Sequence, residues 1–177
     1  MAAALRLGAE LARLVASIHA AGWVWRDCKP GNVIVTQSGE LRPLDFEGAC
    51  PADRPDPLPW GTHPYAPPEC GDAFRGQSRL PEDLYALGAT IYLLLAGRLP
   101  DEHSPAPLGR VRRNAPARVG LIVAELLDHD PRRRPDAQTV ARELEAALES
   151  LTPARAQGVR LTRRARSTKR GSARMSS

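Results

Sequence analysis

Fourteen consecutive residues, Leu84 to Gly97, carry no charge, and their apolar side chains run round the whole helical circumference instead of lining one face. A helix of that kind has no water-facing side, so it must sit inside a domain with other elements wrapped round it. The run is too short to cross a bilayer as a helix. A buried central helix from Asp83 to Gly97 is therefore expected, and no membrane partner. Residues 2–21 place Leu7, Leu11, Leu14, Val15 and Ile18 at helical spacing and stop at Gly22. Arg118 to His129 and Asp136 to Leu151 read as amphipathic helices; Val140, Leu144, Leu148 and Leu151 share one face of the second, and Asp136 is placed to cap it. Val33 to Val35 and Leu41 to Leu44, flanking Gln37, Ser38, Gly39 and Glu40, predict a small hairpin. Residues 51–59, PADRPDPLP, hold four prolines and are expected to form a loop, and a polar stretch from Arg98 to Pro107 follows the central helix.

The charge is unevenly placed. Of the 25 Lys and Arg, residues 152–177 hold eight and none of the 20 acids, which leaves the rest of the chain with 17 minus 20, about −3. The high isoelectric point thus describes the tail. A globular domain over residues 1–151 and a basic, disordered tail over 152–177 are expected, and a nucleic-acid partner loses its main support. The three cysteines, Cys28, Cys50 and Cys70, are odd in number and lack a CxxC spacing, which favours free thiols over a disulfide framework or a zinc site. The Ala-rich N-terminal stretch is broken by Arg6, Glu10 and Arg13 and has no signal-peptide core, so a cytoplasmic location is expected.

Chemistry concentrates in WRDCKPGN, Trp25 to Asn32, followed eighteen positions after its aspartate by Asp45. Phosphoryl transfer needs a carboxylate to orient the attacking hydroxyl, a cation near the phosphates, and oxygens that hold Mg²⁺. Asp27, Lys29, Asn32 and Asp45 can supply that set. The predicted hairpin places the motif at its entrance and Asp45 at its exit, so one small rigid unit carries both metal-ligand candidates. On its own D-x-K-x-x-N is a short pattern, and Asp27 and Asn32 could equally cap a turn.

Longer segments make the pattern specific. WRDCKPGNVIV resembles the catalytic loop of eukaryotic-type protein kinases, and LDFEGAC their Asp-Phe-Gly segment. GTHPYAPPE, from Gly61 to Glu69, resembles the end of their activation segment; the stretch from Asp83 resembles their central helix, and DPRRRP, Asp130 to Pro135, their late Arg-containing motif. These five segments stand in family order across roughly residues 5–151. The resemblance implies a mainly α fold: a protein-kinase-like C-terminal lobe with a small β-hairpin, the N-terminal lobe being absent from the sequence.

It also implies roles. Asp27 would be the catalytic base and Lys29 would stabilise the transferring phosphoryl group, with ATP and Mg²⁺ as cofactors held in part by Asn32 and Asp45. Thr62 would hydrogen-bond near Asp27 and Lys29 to shape a peptide-docking loop. Arg134 would pair with Glu69 as a buried structural tie, and Asp83 would accept backbone N–H bonds from the catalytic loop.

Two substitutions depart from the family pattern: Trp25 stands where His is usual, and the resemblance implies that its indole takes over that position's packing against Phe46, while Glu47 replaces the Gly after Asp-Phe. The DFE variant is similar to the kinase domains of bacterial lanthipeptide synthetases. Between Phe46 and Gly61 there is no Ser, Thr or Tyr; Arg26, whose family counterpart often binds a phosphate there, could instead meet Asp53 or Asp56, and the alternative, a solvated acidic loop, is favoured over that contact. Nothing before residue 25 resembles the Gly-rich loop or the nucleotide-binding lysine. Three readings stay open. One is a serine/threonine protein kinase, acting on a protein or peptide, that needs a separate or lost N-terminal lobe. The second is a noncatalytic pseudokinase fragment that binds partners. The third is a small-molecule phosphotransferase, disfavoured by the GTHPYAPPE segment.

Overall fold

The computed structural model describes residues 1–54, 60–70, 79–101 and 104–151. The expected basic tail, and Asp56, lie outside these residues. Five helices and two small sheets make up the described fold: α1 (Ala2–Ala20), β1 (Trp23–Val24), β2 (Val33–Val35), β3 (Leu41–Pro43), β4 (Cys50–Pro51), α2 (Leu80–Ala96), α3 (Leu108–Val111), α4 (Ala117–Leu126) and α5 (Ala137–Leu151). Short 3₁₀ turns at Pro30–Asn32, Pro68–Cys70 and Pro131–Arg133 punctuate the loops.

Helix α2 occupies the centre, as its uncharged circumference requires. Leu84, Tyr85, Leu87, Ile91, Tyr92 and Leu95 are all buried, and α1 and α4 pack on its two sides while α5 closes over α1 and α4. The helix begins three residues before Asp83. Pro81 is tolerated because a first-turn N–H has no helical partner to lose, and the Glu82 carboxylate reaches back to accept the Arg79 N–H at 3.0 Å. Gly97, in the left-handed region at φ 74°, ends the helix by donating its N–H to Leu93 O at 2.8 Å.

The other helices follow the sequence pattern closely. Helix α1 buries Leu5, Leu11 and Val15 and ends just before Gly22, whose φ is 82°. In α5 the Asp136 carboxylate accepts the Thr139 N–H at 2.8 Å and the Thr139 hydroxyl at 2.9 Å, the arrangement expected of an N-cap. Ion pairs on the surface link α1 to α5 through Arg13 and Glu145, and α4 to α5 through the forked Arg118–Glu143 contact.

The expected hairpin is present: β2 pairs antiparallel with β3, Val33 opposite Pro43 and Val35 opposite Leu41. A second pair was not anticipated. Trp23 and Val24 of β1 face Pro51 and Cys50 of β4, so the proline-rich stretch opens as an edge strand and turns at Ala52 to Arg54. Proline fits there because an edge strand can lack one donor.

One tie spans the lower half of the fold. The Arg134 side chain is fully buried and spends all five of its N–H donors: Nη1 on Glu69 Oε1 (2.5 Å) and Pro81 O (2.9 Å), Nη2 on Glu69 Oε2 (2.7 Å) and Asp128 O (2.9 Å), and Nε on Asp128 O (3.1 Å). Its guanidinium also lies 5.1 Å from the Tyr85 ring centroid. Glu69 stays about a third exposed, so the pair sits at the edge of the core and not wholly within it. Arg134→Ala strands the carboxylate and two carbonyls and is expected to lower unfolding free energy by about 3–5 kcal/mol. Urea denaturation measures this, and a loss below about 1 kcal/mol contradicts the role.

Candidate active site

The loop between β1 and β2 carries the motif, and its shape is set by α2. Asp83 has a fully buried side chain whose Oδ2 accepts the Trp25 N–H at 2.8 Å and whose Oδ1 accepts the Arg26 N–H at 2.6 Å. His19, in the last turn of α1, donates from Nε2 to the same Oδ2 at 2.8 Å. Arg26 has φ 70°, in the left-handed region that costs a side-chain-bearing residue roughly 1–2 kcal/mol. Two backbone N–H bonds to one carboxylate hold it there.

That turn aims Asp27 at three donors. Its Oδ2 accepts Lys29 Nζ at 2.7 Å and Asn32 Nδ2 at 2.8 Å, and its Oδ1 accepts the Thr62 hydroxyl at 2.8 Å. Lys29 Nζ also donates to Thr62 Oγ1 at 2.5 Å, closing a ring of Asp27, Lys29 and Thr62 across 35 positions of sequence. The carboxylate is thus an acceptor that already holds one hydroxyl, and an ammonium sits against it. Tyr65 lines the same small cavity; burial pushes its phenol upward, while the nearby Lys29 charge pulls it down.

Asp45 lies on the far side of the hairpin. It too has a left-handed backbone, φ 55°, with Oδ1 accepting the Glu47 N–H at 3.1 Å. Trp25 reaches across: its ring stacks on Phe46 with centroids 5.9 Å apart, and its Nε1–H donates to Asp45 O at 3.1 Å. Asn32 is joined to the same region, its carbonyl accepting the Leu44 N–H at 2.7 Å. Because Asn32 spends Nδ2 on both Asp27 O (3.1 Å) and Asp27 Oδ2, its side-chain oxygen is left as the acceptor. An amide oxygen and an exposed carboxylate are the hard donors a Mg²⁺ ion prefers, so these residues fit that ion. Among the described residues no cluster of three or more His, Cys, Asp or Glu forms another metal site, and no helix is long and apolar enough to cross a membrane.

At Asp53 the solvated alternative holds. The Asp53 carboxylate is 84% exposed and lies 4.0 Å from Arg54, whereas Arg26 is buried and its Nη1 donates to Gly48 O at 3.3 Å. Cys28 is a fully buried thiol pushed well up, first by burial and then by the charges of Asp83 and Asp27, the environment of a structural cysteine. All three cysteines are free thiols.

His19 and Glu82 escape sequence reasoning. His19 looks like any residue at the end of a helix, and its role appears only when the fold brings Asp83 to it. Glu82 is buried beside Arg26, Asp27 and Cys70. Burial raises its carboxyl to about 7, against the lowering effects of the Arg79 N–H bond and the Arg26 charge. A carboxyl raised in the folded state keeps its proton between the ordinary value and about 7 while the unfolded chain releases it, so stability falls as pH rises through that window. Glu82→Gln retains the acceptor for Arg79 and is expected to raise the melting temperature at pH 8 but not at pH 5. Equal effects at both pH values, read by calorimetry, contradict this.

Residues 2–144 match the family model for the protein kinase domain. The chain is 34% identical over 176 residues to the serine/threonine-protein kinase pkn2 of Myxococcus xanthus, covering 84% of this chain and 21% of that protein. It is 33% identical over 166 residues to the serine/threonine-protein kinase PkaA of Streptomyces coelicolor, covering 84% and 30%. The chain therefore spans less than a third of either relative. Among solved structures it is similar to a ROP18 kinase domain in complex with AMP-PNP and sucrose, with TM-score 0.70, 23% identity, and coverage of 84% of this chain and 43% of that one. A rhoptry antigen kinase domain of Toxoplasma gondii gives TM-score 0.69 at 22% identity, covering 86% and 48%. At these identities the structural likeness shows the fold.

Proposed function

Because the chain belongs to the protein kinase family, we propose that it carries the catalytic half of a serine/threonine kinase site, transferring phosphate from Mg-ATP to a Ser or Thr hydroxyl of a protein or peptide. The observation that carries this reading is the ring in which Asp27 accepts a threonine hydroxyl while Lys29 bridges carboxylate and hydroxyl. A substrate hydroxyl is the same chemical group. Asp27 orients it and takes its proton as the oxygen attacks. Lys29 is paired with the Asp27 carboxylate at 2.7 Å and lies where the transferring phosphoryl group gains negative charge. Asn32 has its amide nitrogen fixed by Asp27, which directs the side-chain oxygen outward. Asn32 and Asp45 would hold Mg²⁺, which supplies positive charge to the phosphates when bound.

The adenine side of such a site is not found in these residues, and a nucleotide-binding lobe, preceding this lobe or supplied separately, completes it in our reading. Support comes from the hairpin and its exit, where Ile34, Val35, Leu44 and Phe46 are between 41% and 59% exposed. Apolar side chains left exposed beside a polar site are costly in water and support a surface that another unit covers. A cytoplasmic location fits substrates and nucleotide of this kind.

Joining a kinase nucleotide-binding lobe ahead of residue 1 is expected to produce Mg²⁺-dependent ATP binding in a calorimetric titration, and Asp45→Ala should abolish the Mg²⁺ dependence. In the same protein Asp27→Asn should lower kcat by about 10²–10⁴-fold with little change in nucleotide affinity. Nucleotide binding without turnover in the unmutated protein would favour a noncatalytic binding module instead.

A further inference from the structure

Trp60 and Gly48 meet more closely than any side chain would allow. A Cβ added at Gly48 would lie 1.9 Å from Trp60 Nε1 and 2.1 Å from its Cδ1, so the indole edge rests directly on the glycine backbone. A Cβ at that position would push the indole, which is 41% exposed on its other side, off the glycine. With the indole in place, Gly48 is buried although Glu47 beside it is exposed.

The contact joins two strands of the site that are otherwise separate. Gly48 follows Asp45 by three positions, and its carbonyl is gripped from the other side by Arg26 Nη1. Trp60 precedes Thr62 by two. Between them Gly61 has φ 125°, and a Cβ there would come within 3.4 Å of Arg26 O, so the segment leading to Thr62 lies flat on the backbone that precedes Asp27. Trp60, Arg26, Asp27, Thr62 and Glu82 line one small cavity. A ring clamped at one end of so short a segment leaves the Thr62 hydroxyl few other places to go.

We propose that Trp60, seated on Gly48, is a positioning residue that holds Thr62 in register with Asp27 and Lys29. This rests on reading those three residues as the reacting site. The clasp has no chemical switch within its own span, because residues 47–60 contain no Ser, Thr or Tyr to carry a phosphate. It is built by shape alone.

Two readouts test the clasp without requiring turnover. In a Trp23→Phe background, which leaves the fully buried Trp25 and the 41% exposed Trp60 as emitters, Gly48→Ala is expected to shift emission to the red and raise the acrylamide-quenchable fraction, the part that Trp60 contributes. Unchanged emission and quenching overturn the contact. Acylation of Lys29, resolved from Lys169 by mass spectrometry, reads whether Thr62 still holds the ammonium. Trp60→Ala should speed Lys29 labelling about fivefold, the scale of one hydrogen bond of ordinary net strength, while Trp60→Phe stays within about twofold of the unmutated chain. Melting temperatures taken alongside identify any variant that has simply lost its fold, and Trp60→Phe then carries the comparison with the unmutated chain. Equal labelling in folded Trp60→Ala and unmutated protein overturns the positioning role. With a nucleotide-binding lobe attached, Trp60→Ala should raise KM for peptide and leave KM for ATP unchanged; the reverse split also overturns it. Should the unmutated assembly transfer no phosphate at all, the catalytic reading falls while labelling and fluorescence still decide the clasp.

Discussion

A carboxylate buried without partners costs several kcal/mol, and Asp83 meets that cost with two backbone N–H groups and one imidazole. The consequences reach well beyond one side chain. Asp83 sits in the first turn of the most deeply buried helix, where it cannot shift without disturbing the core. Its two oxygens take the N–H groups of consecutive residues, which forces the chain through the left-handed turn at Arg26 and presents Asp27 to Lys29, Asn32 and Thr62. The rigid core thereby sets the geometry of the polar site. His19 adds α1 to the same anchor, so the two long helices and the loop share a single polar joint.

A second joint works through aromatic stacking. Trp25 follows β1 and lies fully buried, with one face on Phe46 and its N–H on the Asp45 carbonyl. Since Trp25 is also one of the residues bonded to Asp83, the metal-ligand candidate Asp45 is referred to the same core position as Asp27. The left-handed backbone at Asp45 resembles that at Arg26 in being a strained point held by neighbours. Such strain is kept where surrounding structure over-determines it, and here both instances flank the proposed reacting groups. Glu82 contributes the opposite kind of tension, a buried acid whose charge becomes less welcome as pH rises.

Much of this was written in local pattern. The uncharged run foretells α2, Asp136 foretells the cap of α5, and the hairpin follows from the short runs Val33 to Val35 and Leu41 to Leu44 on either side of a polar turn. The motif segments single out Asp27, Lys29, Asn32, Thr62, Glu69, Asp83 and Arg134, and the structure brings Lys29, Asn32 and Thr62 within hydrogen-bond distance of Asp27. What escaped has a common cause. Strands β1 and β4 have two residues each, too short for any periodicity, and pair across 26 positions or more. The first turn of α2 is masked by Pro81, which looks like a breaker although proline is tolerated in a helix's first turn. Burial of Glu82 and the seat of Trp60 on Gly48 depend on distant segments meeting, and no local signal marks either.

The central claim is that Asp83 locks the motif loop to the core, and native-state hydrogen exchange at the Trp25 and Arg26 amides tests it most directly. If both N–H groups are held by a buried carboxylate, they should exchange only with global unfolding and match the protection of amides in the middle of α2. Exchange at the rate of the hairpin turn around Gly39 would contradict the account.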